Sequence, residues 1–189
     1  MQVMLRLDGK RLYAVALHLI VIALGVEVFI LARENEELKE NQDFLVVGRL
    51  KVGDWFSVDG LTAVTPAAGH ASEVKGKQLI FVFSTNCKFC KANIKPWQDI
   101  ALRATVHNLR TYAVSMDSLS RTKSYIAKNG IIGYDVYVPL DIRGFAKKNR
   151  LAGVPLTVLR SALGNVEGVW IGSLEGKHIG EIIDRFSSK

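Results

Sequence analysis

Cys87 and Cys90 are the only cysteines in this 189-residue chain, and they stand two residues apart in the stretch STNCKFCK. The C-x-x-C spacing occurs both in zinc sites and in thiol–disulfide exchange, so context must decide between them. As a structural disulfide the pair would stabilise the fold little, because so short a loop contributes only about 2 kcal/mol. As a zinc site it lacks two ligands, since His70, His107 and His178 are scattered. The residues favour redox chemistry without a metal, with a structural disulfide and a metal site as the alternatives.

Redox chemistry requires a thiolate at Cys87, because the thiolate is the species that attacks a disulfide. The residues from Thr85 onwards are typical of a helix, and we predict its N-cap at Thr85 or Asn86. Cys87 would then lie at a helix N-terminus, where free N–H groups and the helix dipole favour an anion. Lys88 adds positive charge. Cys90, one turn further on, can close a disulfide with Cys87 and so release a bound partner.

The elements around the cysteines alternate between strand and helix. QLIFVF, residues 78 to 83, is a continuous apolar run typical of a strand buried on both faces. The helix that follows it contains Pro96, which we expect to kink it. Further strands are predicted over 109–116, 134–140, 155–160 and 166–172, and further helices over 117–130, 141–150 and 173–186. This order predicts an α/β domain in which helices flank a central mixed sheet.

A separate apolar run occupies residues 13 to 32 and is interrupted only by His18 and Glu27. Twenty helical residues span roughly 30 Å, the thickness of the hydrocarbon core of a bilayer. Basic residues precede the run and acidic residues soon follow it, which predicts a cytoplasmic segment 1–12, a transmembrane helix 13–32 and a stalk 33–47. A cleaved signal peptide and a buried core helix are the alternatives. The expected location is the cytoplasmic membrane, with a single span and a periplasmic or extracellular C-terminal domain.

The C-terminal part of the chain is basic. Residues 43 to 189 carry 20 Lys and Arg against 12 Asp and Glu, and the whole chain has a net charge of +7. Such a surplus can attract an acidic partner or anionic lipid. No nucleic-acid-binding motif is present, and a domain outside the cytoplasm is a poor candidate for that role. We therefore expect no nucleic-acid partner.

These features together resemble a known family. The strand QLIFVFS, the segment TNCKFC that opens a helix, and the later LAGVPLTVL followed by GNVEGVWIG are similar to the membrane-anchored TlpA/ResA-like thiol–disulfide oxidoreductases. The resemblance covers residues 48 to 187 and implies a thioredoxin-like fold. It also implies a cis-proline loop at Val154-Pro155, which faces the cysteines and leaves the Val154 backbone free to pair with an extended substrate.

The chain departs from the family at three places. Lys88 and Phe89 between the cysteines include no proline, so we expect this dipeptide to influence the direction of electron flow. Asn86 replaces a tryptophan that precedes the first cysteine in the family. Asn93 stands where relatives often carry an acid near the resolving cysteine, so proton transfer to Cys90 would depend on water or on the substrate thiol.

The expected function is thiol–disulfide exchange with extracytoplasmic proteins, with Cys87 attacking and Cys90 resolving. The resemblance favours a reductase that acts on exported apoproteins such as cytochrome c precursors and is supplied by a membrane electron donor. No cofactor is expected beyond the redox-active disulfide Cys87–Cys90. The alternatives are a peroxiredoxin-like thiol peroxidase and a non-enzymatic binding or assembly protein on the same scaffold.

Overall fold

A computed structural model describes residues 9–46, 49–65 and 76–187. The chain divides into two compact units, Met1–Val46 and Val47–Lys189. The predicted cytoplasmic segment 1–12 lies mostly outside the described residues, as does His70. The described residues of the first unit form a single helix, and the second unit is an α/β domain.

The first unit consists of helix α1, Gly9–Val46. Its segment Tyr13–Arg33 has a mean hydropathy of 2.6 and is long and apolar enough to cross a membrane, although a signal sequence shows the same features. The side chains of this segment are all exposed, and all of them except His18, Glu27 and Arg33 are apolar or small. Its backbone continues as helix through the predicted stalk to Val46.

The second unit is built on one six-stranded sheet with strand order β1-β4-β3-β2-β5-β6. Strands β2, β3 and β4 are parallel neighbours, whereas β1, β5 and β6 each run antiparallel to the strand beside them. The strands are β1 Leu61–Ala63, β2 Gln78–Phe83, β3 Arg110–Ser115, β4 Asp135–Pro139, β5 Leu156–Arg160 and β6 Val166–Ile171. The helices are α2 Lys88–Val106, α3 Leu119–Asn129, α4 Ile142–Lys148 and α5 Gly176–Ser187. The predicted α/β class and the mixed sheet are confirmed.

Strand β2 forms the centre of the core, and all six of its residues are buried. Helix α2 packs its apolar face onto the sheet, where Trp97 stacks on Phe81 with 5.1 Å between the ring centroids. The helix runs through Pro96 as one continuous element, and no break divides it there.

The strand register brings three connections to one edge of the sheet. Val82, near the end of β2, pairs with Leu156 at the start of β5, and Leu156 also pairs with Ile171 at the end of β6. The loop after β2, the loop before β5 and the loop after β6 therefore meet. Cys87 follows the first of these strands, and Pro155 precedes the second.

Candidate functional site

The two cysteines occupy the start of α2 and form a disulfide in the structure. Cys87 itself is the N-cap, with φ −86° and ψ 110°, and its sulfur accepts a hydrogen bond from the Cys90 N–H at 3.1 Å. The prediction of an N-cap at Thr85 or Asn86 is therefore wrong. The physical reason is that the Cys87 sulfur takes the role of the capping oxygen, while the Thr85 N–H donates to Asp117 at 2.6 Å. The predicted position of Cys87 at a helix N-terminus is nevertheless confirmed.

The two sulfurs differ in accessibility. Cys87 is only partly buried, whereas Cys90 is 0% exposed and belongs to the hydrophobic core. A thiolate at Cys87 would keep the N–H of Cys90 as a donor close to its sulfur, which stabilises the charge. An external disulfide can therefore reach Cys87 far more readily than Cys90.

The loop before β5 faces the accessible sulfur. The Val154–Pro155 peptide bond is cis, as the resemblance implied. The carbonyl oxygen of Val154 lies 3.6 Å from the Cys87 sulfur. Within the described part of the chain, no hydrogen bond involves the Val154 N–H. Both backbone groups of Val154 thus lie beside the disulfide without a backbone partner.

Lys88 and Phe89 lie at the exposed start of α2. The Lys88 ammonium is 5.1 Å from the centroid of the Phe89 ring, a cation–π arrangement. Neither Lys88 nor Lys91 forms an ion pair with any residue that the structure describes. The ring of Phe89 is 54% exposed, so this pair presents both an apolar surface and a positive charge next to Cys87.

Asn93 has a role that sequence reasoning did not find. Its side chain is 1% exposed, its amide nitrogen donates to the Gly172 carbonyl at 3.0 Å, and its amide oxygen accepts from the Leu174 N–H at 2.9 Å. The side chain therefore ties α2 to the loop after β6. The sequence showed only that the acid of the family is missing at this position.

We expect Asn93→Leu to destabilise the domain. The substitution leaves the Gly172 carbonyl and the Leu174 N–H unpaired in the interior, and each costs about 1–3 kcal/mol. The free energy of unfolding of the full chain in detergent, measured with urea, tests this. Asn86→Leu, at an exposed position of the same loop and helix region, is the matched control and should change it by about 0.5 kcal/mol or less. Equal stability of the two variants would contradict the role assigned to Asn93.

Asp117 makes a contact at the site that sequence reasoning missed. It follows β3, and its carboxylate accepts the Thr85 N–H from the loop after β2. The carboxyl ends of neighbouring parallel strands meet at one edge of a sheet. The position of Asp117 just after β3 therefore indicated that it would lie near the loop after β2. Its carboxylate thus fixes the position of Thr85, in the loop that connects β2 to Cys87.

No metal centre is found within the described ranges, because they contain no group of three or more His, Cys, Asp or Glu side chains that could hold an ion. His107 lies against Phe186 and the Ser187 hydroxyl, away from the cysteines in the sequence and in its contacts.

No family model and no curated protein matches the chain. Solved structures do match it. A putative protein disulfide isomerase from Bacteroides thetaiotaomicron is 17% identical over 73% of this chain and 89% of its own, with a TM-score of 0.60. A putative thiol:disulfide interchange protein DsbE from Chlorobium tepidum is 16% identical over 73% and 96%, with a TM-score of 0.56. A peroxiredoxin-like protein from Aquifex aeolicus is 18% identical over 74% and 89%, with a TM-score of 0.55.

Identities this low establish the fold and leave the activity to be argued from the site. The first two neighbours bear names of thiol–disulfide chemistry, in agreement with the resemblance found in the sequence. The chain therefore has the thioredoxin-like fold, a mixed sheet flanked by helices, with an apolar helix that precedes it in the sequence and could span a membrane.

Proposed function

We propose that this protein is a membrane-anchored thiol–disulfide oxidoreductase that exchanges disulfides with extracytoplasmic proteins through Cys87 and Cys90. The observation that carries the proposal is the arrangement of the two sulfurs. One is accessible and caps a helix, the other is buried one turn further on, and the two are bonded. This arrangement supplies a nucleophile and a resolving group within a single turn of helix.

In the first step, the Cys87 thiolate of the reduced protein attacks a disulfide of the substrate. A bond forms between Cys87 and one substrate sulfur, the substrate disulfide breaks, and the second substrate sulfur leaves as a thiolate. The N–H of Cys90, which lies 3.1 Å from the Cys87 sulfur, stabilises the attacking anion.

In the second step, the Cys90 thiolate attacks the Cys87 sulfur. The Cys87–Cys90 disulfide forms, the mixed disulfide breaks, and the first substrate sulfur leaves as a thiolate. The substrate has gained two electrons, and the protein has lost two. The amide side chain of Asn93 is not basic, so the substrate thiolate released in the first step takes the proton of Cys90, and Cys90 then attacks as a thiolate.

The cis-proline loop positions the substrate for these steps. An extended segment that carries the reacting cysteine pairs with the free N–H and carbonyl of Val154, while Pro155 and Phe89 border it. This places the substrate sulfur beside Cys87. Lys88 supplies positive charge at the same point and stabilises the reduced form, which raises the reduction potential.

The proposed direction is reduction of substrate disulfides in exported apoproteins such as cytochrome c precursors. A dithiol donor in the membrane returns two electrons to Cys87–Cys90. The proposed anchor is the apolar segment Tyr13–Arg33, which keeps the domain within reach of such a donor. The proposed location is the cytoplasmic membrane, with the domain on its outer side.

The reduction potential of the full chain in detergent tests this direction. Equilibration with glutathione redox buffers should give a value near that of dithiol reductants, about −270 mV. A Lys88→Gln variant should be more reducing than the wild type, and Lys128→Gln on α3 is the matched control. A wild-type potential near about −120 mV, typical of strong oxidants, would overturn the reductase assignment.

A thiol peroxidase is the second candidate, because the fold is shared with the peroxiredoxin-like neighbour. In that reaction, Cys87 would be oxidised by peroxide to a sulfenic acid, and Cys90 would condense with it to give the disulfide and water. Peroxiredoxins carry a Pro-x-x-x-Thr-x-x-Cys motif, whereas Ile80 and Ser84 stand at the first two of these positions. Peroxide-dependent sulfenic acid at Cys87 that forms faster than exchange with a peptide disulfide would favour this candidate.

A further inference from the structure

A groove of about 180 Å³ lies beside the disulfide. It is lined by residues from the start of α2, from the loops before β5 and after β6, and by Arg49 and Leu50. The residues that matter for its chemistry are Arg49, Phe89, Arg150, Val154, Pro155 and Ile171.

The part of the groove nearest the cysteines is apolar. Phe89 and Ile171 are 54% and 55% exposed, and Val154 and Pro155 lie with them along the groove. Exposed apolar side chains next to free backbone groups suit an extended peptide, whose main chain pairs with Val154.

Two arginines line the same groove. Arg150 follows α4 with a positive φ of 50°, a conformation unfavourable for a residue with a side chain. Its carbonyl accepts the Leu50 N–H at 3.1 Å, and this hydrogen bond brings the neighbouring Arg49 to the groove. Arg49 and Arg150, which are distant in the sequence, therefore both line this one groove.

Only part of the positive charge at the groove is balanced by the described residues. Among the residues with described positions, no acidic side chain lines the groove. Arg150 contacts Asp54 at 3.3 Å and is 51% exposed, so part of its donor capacity remains available. Arg49 is exposed and has no partner among the residues with described positions. Lys88, whose ammonium lies over the Phe89 ring, adds a further positive charge at the edge.

We propose that this groove selects protein disulfides in which the reacting cysteine is followed or preceded closely by an acidic side chain. This inference rests on the proposed function and names its substrate class. The apolar part of the groove and the Val154 backbone hold the extended main chain, and Arg49 and Arg150 receive the carboxylate. Arginine suits this task because its planar fork of donors matches a carboxylate.

The test uses the reduced full chain in detergent and three peptides. Each contains one cysteine bonded to 2-mercaptoethanol, and they differ only in having Glu, Gln or Lys at the positions beside that cysteine. The measured quantity is the second-order rate constant of a single turnover, in which Cys87–Cys90 forms and the peptide thiol and mercaptoethanol are released. The ratio of the Glu rate to the Lys rate cancels any change in the intrinsic reactivity of Cys87.

We expect the Glu peptide to react roughly tenfold or more faster than the Lys peptide at low salt, because opposite charge accelerates association. The ratio should fall towards one at 1 M salt, where the Debye length is about 3 Å. Arg49→Gln should reduce the ratio on its own, and Arg49→Gln with Arg150→Gln should reduce it further, to the part that Lys88 supports.

Arg103→Gln is the matched control. Arg103 is exposed near the far end of α2, about 24 Å along the helix from Cys87, so its substitution should leave the ratio unchanged. Equal rates for the Glu and Lys peptides with the wild type, or a ratio that is unchanged in the double variant, would overturn the proposed selectivity while leaving disulfide exchange intact. If none of the three peptides reacts, the proposed function itself fails, and the selectivity fails with it.

Discussion

Cys87→Ser is expected to reduce disulfide exchange to the uncatalysed rate, whereas Cys90→Ser should retain the first attack and lose turnover. A serine hydroxyl is not ionised at neutral pH, so the variant at position 87 lacks the attacking anion. Cys90 cannot replace it, because its side chain is buried in the core. Without Cys90, the mixed disulfide at Cys87 has no internal resolving group.

Turnover of a peptide disulfide with dithiothreitol as the electron source measures the first effect, and a single turnover with the pre-reduced chain measures the second. Ser84→Ala, which changes a hydroxyl three residues before Cys87, serves as the control for folding around the site. Full turnover by Cys87→Ser would show that Cys87 is not the nucleophile and would favour the binding or assembly function.

Trp97→Ala is expected to cost about 3–5 kcal/mol of unfolding free energy. The side chain is 1% exposed, stacks on Phe81, and donates its indole N–H to the Thr157 hydroxyl at 3.0 Å. The substitution leaves a cavity between α2 and the sheet and removes the partner of a buried hydroxyl. Domains of this size are stabilised by about 5–15 kcal/mol in total, so the loss is a large fraction.

The same substitution should also slow exchange. Trp97 lies on the helix that carries the cysteines, and Thr157 lies two residues after Pro155, so their hydrogen bond fixes the two sides of the site relative to each other. Denaturant unfolding followed by circular dichroism measures the stability of the full chain in detergent. Leu102→Ala, at an exposed position of α2, is the control and should change it by about 0.5 kcal/mol or less. A cost for Trp97→Ala as small as that of the control would contradict this account of how the site is held.

The sequence predicted the central elements well because their patterns arise from burial. The run 78–83 is apolar from Leu79 onwards, and it forms the fully buried strand β2 with the same bounds. Gly130, the last residue of the helix predicted over 117–130, ends α3 in a left-handed conformation, which glycine adopts readily. Buried strands and helix ends can be predicted in this way because they depend on residues that are adjacent in the sequence.

The prediction of the N-cap failed because capping preferences favour oxygen-bearing side chains, and Thr85 and Asn86 both have one. In the structure the sulfur of Cys87 caps the helix, so the residue that performs the chemistry also begins the helix. The predicted N-cap was therefore one or two residues too early. Cys87 nevertheless lies at the N-terminus of the helix, as predicted.

The groove could not be predicted because its parts come together only through the strand register. Arg49 precedes the sheet, and Arg150 follows α4. No local pattern in the sequence connects them. The hydrogen bond from the Leu50 N–H to the Arg150 carbonyl joins these segments. Asn93 is similar, since its two partners follow β6 and become neighbours only when α2 packs on the sheet.

The most direct test of the central claim is to identify the cysteine that forms the bond with the substrate. Reduced Cys90→Ser full chain in detergent is incubated with a peptide disulfide, excess thiol is blocked, and the adduct is located by mass spectrometry. The account predicts a stable mixed disulfide at Cys87 that does not form when Cys87 is also replaced by serine. Absence of any adduct at Cys87, with the variant folded and its thiol reduced, would contradict the claim that this protein exchanges disulfides through Cys87.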